Sequence, residues 1–139
     1  MSELVLSDID RLEKVMAAMP KMEFHTNHYF ADGMYLRELP RKAGTVIVGK
    51  VHKKEHFYIV LEGEVTISGN GKQERVKAPR IFVCPPGTKR AVYAHVDSIC
   101  MTVHRTNETD MEKIEAELAE PYEYDFYLPG NILKVPEIT

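Results

Sequence analysis

The chain has 139 residues, of which 44% are hydrophobic and 28% charged, and its formal net charge is −3. This length fits one domain that is large enough to bury a core without disulfide bonds. The slight acidity excludes the basic face that nucleic acid or an anionic membrane surface requires, so we expect neither as a partner.

The first predicted element is an amphipathic helix near residues 7–19, within an N-terminal segment of residues 1–22. Its apolar residues recur at helical spacing, Ser7 and Asp10 can form a capping box, and Pro20 ends the helix. The chain start, MSELVLSDID, lacks the basic and apolar regions of a secretory signal. No apolar run approaches the ~20 residues of a membrane-spanning helix. We therefore expect a cytoplasmic protein.

Residues 23–106 are predicted to form short strands joined by turns. Runs rich in Val, Ile, Tyr and Phe alternate with turn residues such as Ala-Asp-Gly, Pro-Pro-Gly and the hairpin signal SGNGK at 68–72. About eight strands without intervening helices predict an all-β antiparallel sandwich or barrel. Cys84 and Cys100 lie inside these apolar runs, which favours buried free thiols over a disulfide bond.

The last segment, residues 107–139, is predicted to form a second helix near 110–120 and an aromatic tail. Thr109 and Glu112 can form the capping box of this helix, which Pro121 ends. The tail, YEYDFYLPGNILKVPEIT, shows no core periodicity, yet it is too apolar to be left in water.

The strands resemble those of a known family, the cupins. Residues 44–63 resemble the first cupin motif, which has a Gly, a His-x-His pair, a Glu and a closing Gly. CPPGTKR at 84–90 resembles the second motif, Pro-x-Gly-x-x-His, and the link of residues 64–78 has the length found in small cupins. The resemblance covers roughly residues 24–105, and the flanking helices look similar to small cupin-like proteins of tailed phages and bacteria. It implies a cupin-type jelly-roll β-barrel with short flanking N- and C-terminal helices, whose mouth or interior holds a ligand.

The resemblance also implies assembly. Cupins commonly pair through sheet edges or exchanged terminal strands, and an open sheet edge needs cover. We therefore expect a homodimer in which the tail lies on its own barrel or on that of its partner.

The family's metal positions are largely replaced in this chain. Carried over residue by residue, they fall on Lys50, His52, His56 and Arg90, so only His52 is kept. His56 stands in place of a glutamate and can still bind a metal. Residues 50, 52 and 56 share strand parity, so all three can point into the barrel if no bulge intervenes.

Two histidines leave a metal site incomplete. A transition metal usually takes at least three protein ligands, and neutral imidazoles suit Zn, Fe, Ni or Cu. His104 is the best further donor, because the last cupin strand also lines the barrel. One hypothesis is thus a divalent transition metal (Zn, Fe, Ni or Mn) held weakly by His52, His56 and His104. The other is that these are polar histidines hydrogen-bonded to their neighbours, which is the favoured interpretation for three others, namely His25, His28 and His95.

Two cations at ligand positions point to a different partner. Lys50 and Arg90 would repel a divalent metal but attract a carboxylate or phosphate, which arginine grips with two parallel hydrogen bonds. Arg37 could add a third positive group, and Tyr58 completes the predicted ligand-binding set. Because a buried unpaired guanidinium is costly, the alternative is that Arg90 turns outward to a surface acid.

Two function classes follow. In the first, the barrel is a non-catalytic pocket with an eroded metal site that senses or sequesters a small anionic molecule. In the second, the chain is a metal-dependent isomerase, lyase or oxygenase, in which His52 and His56 hold the metal and Arg90 orients an anionic substrate. The eroded motif favours the first class.

Overall fold

The structure, a computed structural model, describes Ile9, residues 25–69 and 71–120, and the backbone of residues 127–128 and 132–133. Between residues 27 and 105 the described chain forms nine strands. They are β1 (Asn27–Ala31), β2 (Met34–Arg41), β3 (Val46–Val48), β4 (His56–Glu62), β5 (Glu64–Gly69), β6 (Lys72–Lys77), β7 (Arg80–Cys84), β8 (Arg90–Ala94) and β9 (Ser98–Arg105).

The strands form two antiparallel sheets. The five-stranded sheet has the order β1-β2-β9-β4-β7, and the four-stranded sheet has the order β3-β8-β5-β6. The helix α1 (Met111–Leu118) follows, and the short strands β10 (Tyr127–Leu128) and β11 (Ile132–Leu133) pair with each other. The predicted all-β jelly roll is confirmed.

The residues of two tight turns, between β1 and β2 and between β5 and β6, explain why the chain reverses there. Asp32 and Gly33 between β1 and β2 have φ values of 28° and 76°, and positive φ at both central residues is what a tight hairpin turn requires. The predicted SGNGK hairpin is confirmed, because it joins β5 to β6.

The space between the sheets has an apolar half and a polar half. The apolar half is a cluster of buried side chains in which Val60, Val65 and Cys100 have no exposed surface. In the polar half, β4 begins at His56 beside the end of β9, since Phe57 pairs with Val103 in the antiparallel register.

The N-cap of helix α1 lies one residue after the predicted cap. Asp110 is the N-cap, and its carboxylate accepts hydrogen bonds from the backbone N–H groups of Glu112 and Lys113. The prediction of Thr109 as the cap was therefore wrong. A carboxylate at this position bonds two free N–H groups and also opposes the positive end of the helix dipole.

The apolar stripe of α1 packs on the polar half of the barrel. Ile114 and Leu118 form a buried cluster with Tyr35. The backbone around the helix end bonds the loop before β4, where Lys53 donates to the carbonyl of Leu118 at 2.8 Å. Helix α1 thus covers the end of the barrel that holds the histidines.

The terminal predictions lie mostly outside the described residues. Of the predicted helix near 7–19, only Ile9 is described; it is helical and buried against Val48 and Ala91. The side chains of the aromatic tail are also outside the described part. Within that part, no helix has the length and hydrophobicity that a membrane crossing requires.

Candidate functional site

Three histidines converge from three separate segments. His52 lies in the loop before β4, His56 is the first residue of β4, and His104 is near the end of β9. Their ring centroids are 4.3 Å apart for His52–His56, 4.9 Å for His56–His104 and 5.7 Å for His52–His104. All three are buried.

The loop explains why strand parity misplaces one predicted residue. Strand β3 ends at Val48 and β4 begins at His56, and between them His52 makes only an isolated bridge to Ala119. Parity therefore does not apply across residues 49–55. The condition on which Lys50 was predicted to point inward, an unbroken strand, is therefore not met, and its ammonium pairs with Glu115 of α1 at 3.1 Å.

Arg90 points into the barrel and contacts the histidine cluster. It is only 6% exposed. Its Nη2 donates to Nε2 of His56 at 3.0 Å, and its Nη1 donates to Sγ of Cys84 at 3.4 Å. The guanidinium carbon lies 4.2 Å from the centroid of the Tyr58 ring, a cation–π contact. The alternative in which Arg90 turns outward to a surface acid is therefore wrong.

Hydrogen bonding fixes the tautomer of His56. Its Nδ1 lies 3.0 Å from the backbone carbonyl of Lys54, so Nδ1 must carry the proton and donate. Nε2 then holds a lone pair, which accepts the hydrogen bond from Arg90. The second interpretation from the sequence, a polar histidine bonded to its neighbours, describes this arrangement.

The three imidazoles are neutral at pH 7. Burial lowers the pKa of His52 to about 3, of His56 to about 4 and of His104 to about 2. For His52 the nearby charge of Arg90 lowers the pKa further. Two polar groups also meet the rings: the Thr102 hydroxyl lies 2.9 Å from Nε2 of His104, and the Thr88 carbonyl accepts from Nδ1 of His52 at 3.4 Å.

Arg37 adds a second positive charge to the same region. It is half-buried on β2, and its charge lowers the pKa of all three histidines and of Arg90. Its Nε is buried and has no hydrogen-bond partner among the described residues. In the described part of the chain, neither Arg37 nor Arg90 has a carboxylate within 4 Å.

Two tyrosines lie beside the histidines and Arg90. The Tyr58 hydroxyl is buried beside the Cys100 thiol without a nitrogen or oxygen partner in the described residues, and burial raises the pKa of Tyr58 well above its usual value. Tyr35 stacks on His104 at 5.9 Å and its hydroxyl lies 2.6 Å from Nδ1 of His28. Burial raises the pKa of Tyr35 to about 12, so both hydroxyls stay protonated.

Tyr35, Thr88 and Thr102 are not among the site residues predicted from the sequence. Tyr35 precedes Arg37 by two residues on β2, so their shared parity was the signal for it. The other candidate histidines lie outside the cluster of His52, His56 and His104. His25 is exposed, His28 bonds Tyr35, and His95 bonds the Thr66 hydroxyl at 2.6 Å.

As arranged, the triad does not fit a metal ion. The three rings stack, with interplanar angles of 27°, 4° and 23°. Among the described residues, no group of three His, Cys, Asp or Glu side chains is placed to hold a metal. A divalent ion on the lone pair of Nε2 of His56 would lie ~2.1 Å from that nitrogen, in the space that Nη2 of Arg90 fills at 3.0 Å, so the bond to Arg90 would have to break first.

Comparison with known families supports the resemblance seen in the sequence. A family model described as Cupin domain matches residues 41–104. Residues 41–104 are a cupin domain. This match includes His52, His56, Arg90 and His104, so the cluster lies inside the cupin domain itself. A comparison with curated proteins gave no match.

Solved structures show the same fold in other small proteins. A predicted oxalate decarboxylase from Thermotoga maritima matches with a TM-score of 0.54 and 18% identity, over 62% of this chain and 83% of that one. An RmlC-like cupin protein from Desulfovibrio desulfuricans matches with a TM-score of 0.51 and 22% identity, over 58% and 80%. A putative ethanolamine utilization protein from Salmonella typhimurium matches with a TM-score of 0.52 and 13% identity, over 61% and 71%. At these identities the likeness shows a shared fold and no shared activity.

Proposed function

We propose that this cupin domain binds a small anionic molecule, a carboxylate or phosphate compound, in the polar half of its barrel and thereby senses or sequesters it. One observation carries the proposal. Arg37 and Arg90 bring two guanidinium groups into this region, and neither has a carboxylate partner in the described part of the chain. A buried cation needs a counter-charge or solvent, and a bound anion supplies the charge.

The present partners of Arg90 are weak ones. A thiol and a neutral imidazole accept from its two terminal nitrogen atoms. A carboxylate or phosphate oxygen forms a charge-assisted hydrogen bond about twice as strong as a neutral one, so an anion competes well for these N–H groups. Tyr58 contacts the guanidinium with its ring at 4.2 Å and so helps to position Arg90.

The two arginines, and not the histidines, give the region its preference for anions. Because burial keeps all three uncharged, they can donate or accept hydrogen bonds without adding charge. The net charge that the described side chains place here therefore comes from arginine, which stays protonated.

A metal-dependent enzyme acting on an anionic small molecule is the second candidate. The approach of three neutral imidazoles, which are suitable ligands for Zn, Fe or Ni, favours it. Metal binding would require the hydrogen bond between His56 and Arg90 to break and the stacked rings to rotate. An anion that bridges the metal and Arg90 would offset their repulsion, so we expect metal to be held weakly unless such an anion is present.

Thermal unfolding of metal-stripped protein tests the proposal. We expect inorganic phosphate or malonate to raise Tm, because a ligand that binds only the folded state at ~100 times its Kd adds about 2.7 kcal/mol. Glycerol, a neutral molecule of similar size, is the control. A Tm that no anion in a broad panel of carboxylates and phosphates raises, in a buffer free of competing anions, would contradict the proposal. Zn or Ni titration with and without the anion tests the second candidate, which requires the anion to tighten metal binding.

A further inference from the structure

The two arginines of the polar half lie at different depths. Arg90 is only 6% exposed. Arg37 is half-buried, although Tyr35 and Leu39, which precede and follow it on the inward face of β2, are buried. Water therefore reaches the side chain of Arg37 where it does not reach these neighbours. Arg37 is the arginine that a solute can reach first.

The strand register places one arginine on each side of Thr102. Thr102 of β9 pairs with Arg37 of β2 on one side and with Tyr58 of β4 on the other. Two strand spacings, about 10 Å, thus separate the backbones of Arg37 and Tyr58. The Arg90 guanidinium lies over the Tyr58 ring at 4.2 Å. A cation therefore lies on either side of the buried Thr102 hydroxyl.

Both guanidinium groups have N–H groups left for a ligand. A guanidinium carries five N–H donors. The bonds of Arg90 to His56 and to Cys84 each use one of them. Nε of Arg37 has no hydrogen-bond partner among the described residues. Each arginine can thus form further charge-assisted hydrogen bonds with an anionic group.

The described side chains leave the charges of both arginines uncompensated. Among these residues, no carboxylate lies within 4 Å of Arg37 or Arg90. Glu115 of α1, whose charge reaches Tyr35, pairs with Lys50 at 3.1 Å. The positive charge of Arg37 also lowers the pKa of Arg90, because like charges repel. The region therefore carries two cations that repel each other.

The charge of the ligand follows from this arrangement. A ligand with one negative charge would leave one of the two cations without a counter-charge. Charges in a partly buried region are screened much less than exposed ones. A second negative charge on the ligand therefore attracts the second arginine and offsets the repulsion between the two cations.

We propose that the ligand is a dianion whose two charges are met by Arg90 at depth and by Arg37 nearer to solvent, and that Arg37 selects it over a monoanion. This inference rests on the proposed anion-binding function and adds the charge of the ligand. Two chemical sources share that charge. A small dicarboxylate would place one carboxylate on each arginine, whereas a phosphate monoester would place a single doubly charged group between them.

Pairs of ligands that differ in charge test this inference. Malonate, succinate and glutarate are each compared with their own monoamide, and methyl phosphate is compared with dimethyl phosphate, which has one charge. Calorimetric titration of the metal-stripped full chain at about pH 8 measures them, since a phosphate monoester is doubly charged above its second pKa of ~6. In at least one pair, the wild-type protein should bind the dianion at least about tenfold more tightly than the monoanion. A tenfold ratio for a dicarboxylate alone identifies two separate anionic groups, and one for methyl phosphate alone identifies a single group.

Arg37→Gln tests the role of the outer arginine. It removes the charge and keeps a polar side chain, so the ratio of dianion to monoanion affinity should fall below about threefold. Arg80→Gln, at an exposed arginine paired with Glu74, is the matched control and should keep the wild-type ratio. Circular dichroism establishes that the variants fold.

Three results would overturn the inference, and they are distinguishable. Equal affinities within every pair for the wild type overturn it and leave the anion-binding function standing; this comparison needs no variant. A tenfold ratio that persists in Arg37→Gln shows that Arg37 does not select the dianion. Binding of neither member of any pair overturns the inference together with the anion-binding function.

Discussion

Nη2 of Arg90 donates to Nε2 of His56 at 3.0 Å. This bond places a permanent cation on the lone pair through which His56 would bind a metal. It also brings a charge into a buried region where the other titratable rings are neutral. The relationship between these two residues therefore decides whether the barrel accepts an anion or a metal.

Replacing the guanidinium by an imidazole should reverse that preference. Arg90→His removes the charge from Nε2 of His56 and supplies another neutral donor. We expect the affinity for Zn or Ni to rise by at least about tenfold, a change of about 1.4 kcal/mol. Calorimetric titration of metal-stripped protein measures it, and Arg80→His, at an exposed arginine of β7, is the control. An equal metal affinity in both variants would show that Arg90 does not govern the histidines.

The buried histidines should make the metal-free protein sensitive to acid. Their folded pKa values of about 3, 4 and 2 for His52, His56 and His104 lie below the ~6.5 of an unfolded chain. Below pH ~6.5 the unfolded state binds more protons, so stability is retained above that pH and falls as the pH drops toward 4. Each histidine contributes up to about 1.4 kcal/mol per pH unit to this loss.

Urea unfolding over this pH range measures the effect. His104→Gln should reduce the slope of the unfolding free energy against pH by about one histidine's share, or ~1.4 kcal/mol per pH unit. His25→Gln, at an exposed position, is the matched control. If His104→Gln leaves the acid slope equal to that of the control, the histidine does not titrate as its burial requires.

Helix α1 should be fixed to the barrel mainly by its apolar stripe. Ile114 is 2% exposed and packs with Tyr35 and Leu118. Ile114→Ala should cost about 2–5 kcal/mol by leaving a cavity, whereas Lys113→Ala, on the exposed side, should change stability by less than about 0.5 kcal/mol. Chemical denaturation compares the two. Similar losses in both variants would mean that the helix does not pack as described.

Two glycines with nearly the same φ should respond differently to alanine. Gly63 has φ 90° and an added Cβ would lie 2.7 Å from the Asp97 carbonyl, whereas Gly87 has φ 88° and open space around it. Gly87→Ala should cost only the backbone strain of about 1–2 kcal/mol. Gly63→Ala should cost clearly more, because the backbone must also move. Thermal unfolding of the two variants measures the difference, and equal losses would contradict the packing at Gly63.

Local chemistry made much of the fold predictable. The SGNGK turn and the Asp32-Gly33 turn contain the residues that tight hairpins require, so the local sequence is enough to predict them. The helix cap was missed by one residue because Thr109 and Asp110 are both good caps, and only the folded backbone selects between them.

The site was less predictable because tertiary contacts create it. His52 and Lys50 share parity, yet the loop of residues 49–55 is not a strand, so alternation could not tell which one faces the cluster. Likewise, the direction of Arg90 depends on its contacts with Tyr58 and His56, which lie more than 30 positions away in the sequence.

Calorimetric titration of metal-stripped protein with inorganic phosphate and with malonate tests the anion-binding proposal most directly. Arg90→Ala and Arg37→Ala are compared with Arg80→Ala, whose guanidinium is exposed and paired with Glu74. A hydrogen bond to a charged group contributes about 1.5–3 kcal/mol, so the first two variants should bind more than about tenfold more weakly than wild type, and Arg80→Ala should match it. Unchanged anion affinity in both Arg90→Ala and Arg37→Ala would contradict the account.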